Sequence, residues 1–142
     1  MIVYDKIEQR SEEWHELKHG KIGGTLSKGL FVKSDTLLNE IRGIDLEPFA
    51  IAALEKEIFV EFKQVGFCQN TAIPLLGISP DGITEDETIM VEVKCPGSKK
   101  HTETICNDEI PQDNIHQVLH AFTVNPKLEQ MYFVSYRWEN KI

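Results

Sequence analysis

Residues 75–96 read LLGISPDGITEDETIMVEVKCP, and no other stretch limits the fold as much. Two short apolar runs, 73–78 and 89–93, flank a polar segment rich in Asp, Glu, Thr and Gly. Short apolar runs bounded by turn formers read as two β-strands joined by a turn and loop. Asp81 falls where the first strand ends, and Glu92 and Lys94 stand two apart on the second. Residues i and i+2 of a strand share a face. The carboxylate and the ammonium therefore project together, and a hairpin can bring Asp81 beside them. Two carboxylates converging with a lysine are the minimum parts for holding a divalent metal and activating a water. The bland alternative makes Asp81 a turn residue and Glu92–Lys94 a surface ion pair.

A chain of 142 residues, 41% of them apolar, is expected to form one globular domain over 1–142 with a real core. It has no apolar run long enough to span a membrane. Its first residues, MIVYDKIEQR, lack the basic-then-apolar pattern of a signal peptide. Cys68, Cys95 and Cys106 are too few and too scattered for a disulfide framework, and reduced thiols in the cytosol are expected. The formal net charge of −8 runs against a uniformly basic, nucleic-acid-binding surface. It leaves room for a local basic groove beside acidic ligands whose charge bound cations offset.

In chain order, Ser11 followed by Glu12 and Glu13 marks a helix start, and Gly20 a stop. Trp14 and Leu17 can share its buried face. Lys21-Ile22-Gly23-Gly24-Thr25-Leu26-Ser27-Lys28 joins bare backbone amides, hydroxyls and lysines, the makings of an anion-binding loop. It can equally be an ordinary Gly-Gly turn. Short helices are expected at 26–32 and 36–41, with a break at Arg42-Gly43. Apolar positions Phe49, Ala50, Ala53, Leu54, Ile58 and Phe62 then predict a helix over 47–62, with Pro48 in its first turn and Glu47 at its mouth. A strand follows at 65–69. Residues 97–109 hold no period and read as a loop. Residues 112–124 read as a helix with Ile115, Val118, Leu119 and Phe122 on one face, and 131–138 as a strand. The order predicts an α/β fold, a mixed central β-sheet flanked by helices.

The spacing Pro80-Asp81, then Glu92-Val93-Lys94, resembles the PD-(D/E)XK nuclease signature in order and residue type. The longer strings resemble one branch of it, the lambda-exonuclease or YqaJ-type viral recombination nucleases. Arg10-Ser11, Trp14, Lys18, Gly20 and Ile22 resemble that family's first motif, and Arg42-Gly43 with Glu47-Pro48 and Ala50 its second. Ser79-Pro80-Asp81-Gly82 and Glu92-Val93-Lys94-Cys95-Pro96 resemble its third and fourth. His116-Gln117-Val118 resembles its glutamine motif, and Tyr132-Phe133-Val134 with Tyr136 its following strand. The resemblance implies a restriction-endonuclease-like core and a Mg²⁺-dependent nuclease in which Mn²⁺ can substitute. Asp81, Glu92, Lys94 and Gln117 would be catalytic. Glu47, Asp81, Glu92 and the carbonyl of Val93 would hold the metal. Lys18, in place of the more usual arginine, and Thr25 would meet the 5′-phosphate of a DNA end. The implied partners are duplex DNA ends, a single-strand annealing protein and further copies in a ring. The implied setting is the cytoplasm of a bacterium or a phage-infected cell.

The expected activity is hydrolysis of duplex DNA from a 5′ end. The same residues would serve an endonuclease of the restriction or junction-resolving sort. A non-catalytic DNA-binding module on this fold would not need the complete Asp81, Glu92 and Lys94 set. An iron–sulfur nuclease would need four cysteine ligands, and the chain has three cysteines.

Overall fold

The computed structural model describes residues 1–23 and 37–137, with the backbone alone over 37–45. The expected α/β architecture is present, its strands arranged in two three-stranded sheets. The first sheet takes β1 (Ile2–Tyr4), β2 (Phe67–Gln69) and β3 (Gly77–Ile78), all antiparallel, with Val3 opposite Cys68 and Cys68 opposite Ile78. The second takes β4 (Gly82–Ile83), β5 (Ile89–Lys94) and β6 (Gln130–Ser135). β4 runs antiparallel to β5, and β6 runs parallel to it, so the second sheet is mixed. Single bridges, Ile22 to Leu76 and Lys63 to Ile83, add further backbone pairing around them.

The motif-bearing stretch is thus divided differently from a simple hairpin. Of the expected 73–78 strand, only Gly77 and Ile78 join a sheet and Leu76 makes a single bridge, because Asn70 and Pro74 impose a turn first. Asn70 Oδ1 accepts from the Ile73 amide at 2.7 Å, and the Leu76 amide donates to Ile73 O at 2.9 Å. The chain then crosses from one sheet to the other through Ser79-Pro80-Asp81. The true hairpin is β4–β5, closed by Asp86, whose Oδ1 accepts from the Thr84 and Thr88 hydroxyls and the Thr88 amide.

β5 is buried on both faces. Met90 packs into a core with Val65, Cys68, Ile78, Ile83, Ala121, Val124 and Leu128. Val91 and Val93 pack into another with Ala50, Ile51 and Cys95. Full burial of each such side chain is worth about 1.5–3 kcal/mol. That fixes the register of the strand and therefore where Glu92 points.

Four helices lie among the described residues. The first, α1 (Glu12–Lys18), is as expected: Ser11 Oγ caps it by accepting from the Trp14 amide at 3.2 Å, and Gly20 beyond its end takes φ +73°. The second, α2, corrects the sequence reading. It is continuous from Leu37 to Ile58, through Arg42-Gly43, where a break is expected. Pro48 and Glu47 lie inside it rather than at its first turn. An interior proline ordinarily costs about 3 kcal/mol and a glycine about 1 kcal/mol. Packing of Ala50 and Ile51, with part of Leu46 and Leu54, against the second sheet offsets that cost. The helix stops before Phe59, at φ +56°, and the Glu55 carboxylate takes the Phe62 amide at 2.8 Å. Phe49 and Ala53, expected inside, face outward.

Residues expected as a loop contain α3 (Ser98–Asn107), a largely polar helix that buries no residue. The His101 Nδ1–Ser135 Oγ hydrogen bond, 2.9 Å, ties it to β6. The fourth helix, α4 (Gln112–Val124), has the expected span. Its inward face is Asn114, Val118, Ala121 and Val124, leaving Leu119 58% and Phe122 41% exposed, contrary to the predicted face. The imidazole of His120 is buried too, its Nε2 within 2.9 Å of Gly77 O and 3.2 Å of Ile22 O. The expected helix at 26–32 lies outside the described residues.

All three cysteines are free, as expected. Cys68 and Cys95 are buried and Cys106 is exposed on α3. Burial, then the nearby Glu87 carboxylate, pushes the Cys68 thiol up to about 12. No described helix is long and apolar enough to cross a membrane.

Candidate active site

Asp81 stands at the crossing between the sheets. Its amide donates to Val91 O at 3.1 Å, and its Oδ2 accepts from the Val93 amide at 2.7 Å. Both contacts fix the carboxylate against β5, where the strand-end reading places it. The glycine that follows is required by packing. A Cβ on Gly82 would stand 2.9 Å from Val91 Cγ1 and 3.0 Å from Phe62 Cβ.

Glu92 occupies the alternating position two beyond Met90 and is 4% exposed. An unpaired buried carboxylate costs several kcal/mol. Here Oε1 meets Lys94 Nζ at 3.0 Å and accepts from Gln117 Nε2 at 2.7 Å. A hydrogen bond to a charged group contributes about 1.5–3 kcal/mol, so the two together offset much of the burial. The i, i+2 expectation for Glu92 and Lys94 holds. The surface-ion-pair alternative does not, because Glu92 is inside. Burial, then the Asp81 carboxylate, raises Glu92 to about 8, with Lys94 and Gln117 pulling it back.

Glu47 of α2 reaches the same place, close enough to Asp81 for each carboxyl to act on the other. Burial raises both acids above the ordinary carboxylate range, and the Glu47 charge raises Asp81 further. Carboxylates this close disfavour each other's ionised form. Among the described residues, no three His, Cys, Asp or Glu side chains close on one point. Glu47 and Asp81 engage each other, and Glu92 turns to Lys94 and Gln117.

The expected phosphate pocket is described in part. Lys18 Nζ lies over the Trp14 ring, 3.8 Å from its centroid. Burial, then the Arg10 charge, lowers its pKa. Thr25 lies outside the described residues.

Residues 2–127 match the model of the YqaJ-like viral recombinase domain. The chain belongs to that family. Among solved structures, this YqaJ-like domain is similar to an alkaline exonuclease, LHK-Exo, from Laribacter hongkongensis. The TM-score is 0.77 at 26% identity, over 89% of this chain and 74% of that one. A second structure of LHK-Exo, in complex with dAMP, matches at TM-score 0.75 and 25% identity over the same shares. No curated protein matches it.

The fold brings together Glu47, Asp81, Glu92, Lys94 and Gln117 from four separate parts of the sequence. Three residues outside the predicted site act on it or hold the segment that leads into Asp81. Gln9 Nε2 donates to Val65 O and Pro80 O, each at 2.9 Å. Trp14 Nε1 donates to Gly66 O at 2.8 Å and Ser79 Oγ at 2.9 Å. The charge of Arg10, between them in sequence, acts on both Lys18 and Glu47. The presence of Arg10 and Trp14 in the first motif was the available signal, Gln9 carried none, and nothing in the sequence shows that the turn folds back onto Ser79-Pro80.

Proposed function

We propose that this YqaJ-like domain is a divalent-metal-dependent deoxyribonuclease that hydrolyses phosphodiester bonds of duplex DNA from a 5′ end. The observation that carries the proposal is the set Asp81, Glu47, Lys94 and Gln117 gathered around the buried Glu92 at one end of β5. Three acids crowded beside one lysine at the edge of a core serve no packing purpose unless a cation or a phosphate joins them.

The donor chemistry fits a hard cation such as Mg²⁺ or Mn²⁺, which takes one or two carboxylates and keeps several waters. Asp81 and Glu92 are the ligands this reading assigns, with Glu47 and the Val93 carbonyl beside them. When bound, the ion supplies charge stabilisation on the transferring phosphoryl group and lowers the pKa of a bound water. The chain's own residues do the rest. The Val93 amide holds the Asp81 carboxylate in place. Gln117 keeps Glu92 oriented. Lys94, its side chain 37% exposed, offers its ammonium to the attacking water and to phosphate charge. Lys18 and Thr25 hold a terminal phosphate, and this fixes which bond lies at the carboxylates. The same reading takes a single-strand annealing protein as partner.

Incubation of linear and closed circular duplex with Mg²⁺ or Mn²⁺, and with EDTA as control, tests the proposal. Metal-dependent loss of linear duplex alone, faster with a 5′-phosphate than a 5′-hydroxyl, is the expected result. Equal cutting of closed circles would transfer the same residues to an endonuclease. No metal-dependent cutting of either substrate would end the nuclease reading.

A further inference from the structure

We infer that Arg10 is a substrate-binding residue that grips a backbone phosphate of the cleaved strand, between the carboxylates and Lys18. The inference rests on the nuclease reading above and adds to it a contact that end recognition does not require.

The geometry is that of a presented side chain. Arg10 is exposed and has φ +70°, a left-handed backbone that arginine rarely adopts. The turn holding it there is fastened on both sides. On one side Gln9 donates to Pro80 O, the residue next to Asp81, and to Val65 O. On the other, Ser11 Oγ donates to Glu8 O at 2.6 Å, and the Trp14 indole donates to Ser79 Oγ and Gly66 O. Both clamps land on the segment that carries Asp81 across the sheets, so Arg10 is fixed relative to the carboxylates. A strained backbone held by this many contacts belongs with function more than with folding.

The charges agree. Among the described residues, no carboxylate or carbonyl takes the Arg10 guanidinium in a hydrogen bond or close ion pair. Its charge adds to the burial that lowers the pKa of Lys18, whose ammonium stands 3.8 Å over the Trp14 ring of the same helix. Arg10 and Lys18 repel each other, and an anion between them relieves both. A guanidinium fork matches two phosphate oxygens, which the point charge of a lysine cannot do.

The test compares Arg10→Gly and Arg10→Lys with the otherwise unchanged chain. Duplex binding is read by fluorescence anisotropy over a salt series in an Asp81→Asn background, and cleavage by steady-state kinetics. Glycine removes the backbone strain, so Arg10→Gly keeps or raises the melting temperature. The same change weakens duplex binding about ten- to hundredfold, the loss expected for one charge-assisted contact. It raises KM more than it lowers kcat. The slope of log Kd against log salt falls by about one, as for one lost phosphate contact. Arg10→Lys keeps that slope and part of the affinity. Wild-type affinity and slope in Arg10→Gly overturns the inference. So does a parallel fall of melting temperature and activity in both variants, which would make Arg10 a prop for α1. If the unchanged chain neither binds nor cuts duplex with metal present, the nuclease reading fails first and takes this one with it.

Discussion

At the scale of single residues, Asp81 and Glu92 carry opposite kinds of support. Asp81 is held by a backbone amide, whereas Glu92 depends on two side chains that can be removed one at a time. Asp81→Asn and Glu92→Gln should each abolish metal-dependent cleavage with an unchanged circular dichroism spectrum, since both keep shape and remove charge. Wild-type rates in either variant, checked against EDTA, would remove the assigned site. Lys94→Ala should lose about 10²–10⁴-fold in rate, the usual contribution of one proton-transfer or electrostatic group. Its Mn²⁺ affinity by calorimetry should stay close to wild type, because the lysine is assigned to the water and the phosphate. Gln117→Ala should cost less, about tenfold in kcat, as Glu92 keeps Lys94 but loses a hydrogen bond of about 1.5–3 kcal/mol.

At the scale of elements, the site is built where β3 hands over to β4, and close packing there is as important as chemistry. Gly82→Ala should destabilise the protein by about 1–3 kcal/mol in urea denaturation, the cost of overpacking. It should also lower activity further than the lost stability explains, because Asp81 is the next residue. An unchanged denaturation midpoint would mean that Phe62 and Val91 yield freely. The same elements show what sequence reveals and what it hides. β5 was legible because its apolar run is short and bounded, and the Glu92–Lys94 spacing fixed a shared face. Gln117 entered by family resemblance, and contact with Glu92 is what makes sense of it. α2 was misread because Gly43 and Pro48 are strong local breakers, and only burial against a distant strand outweighs them. α3 was missed for the opposite reason: it is largely polar and buries nothing, so no run of apolar residues marks it. Leu119 and Phe122 misled because α4 turns Asn114 and a histidine inward, and residue hydrophobicity alone cannot anticipate buried polar groups with partners.

For the whole molecule, the crowded acids link stability to pH. Burial raises Glu47, Asp81 and Glu92 above their ordinary values, so the folded chain holds protons that the unfolded chain releases. Stability in EDTA should therefore be fully present below the unfolded carboxylate range, about pH 4. It should fall as pH rises through that range to about 8, the value for Glu92. Urea midpoints measured across that window check the sign, and Mn²⁺ should restore stability most at the alkaline end. A midpoint in EDTA that climbs with pH would contradict the crowding of acids. The thiols offer a practical route to such measurements. Cys68 and Cys95 are shut inside, and Cys106 alone is exposed, on a helix joined to β6, the neighbour of β5, by the His101–Ser135 contact. The unaltered chain thus carries a single accessible labelling handle. A fluorophore or spin label placed there would report whether α3 moves when duplex arrives, without any engineered cysteine.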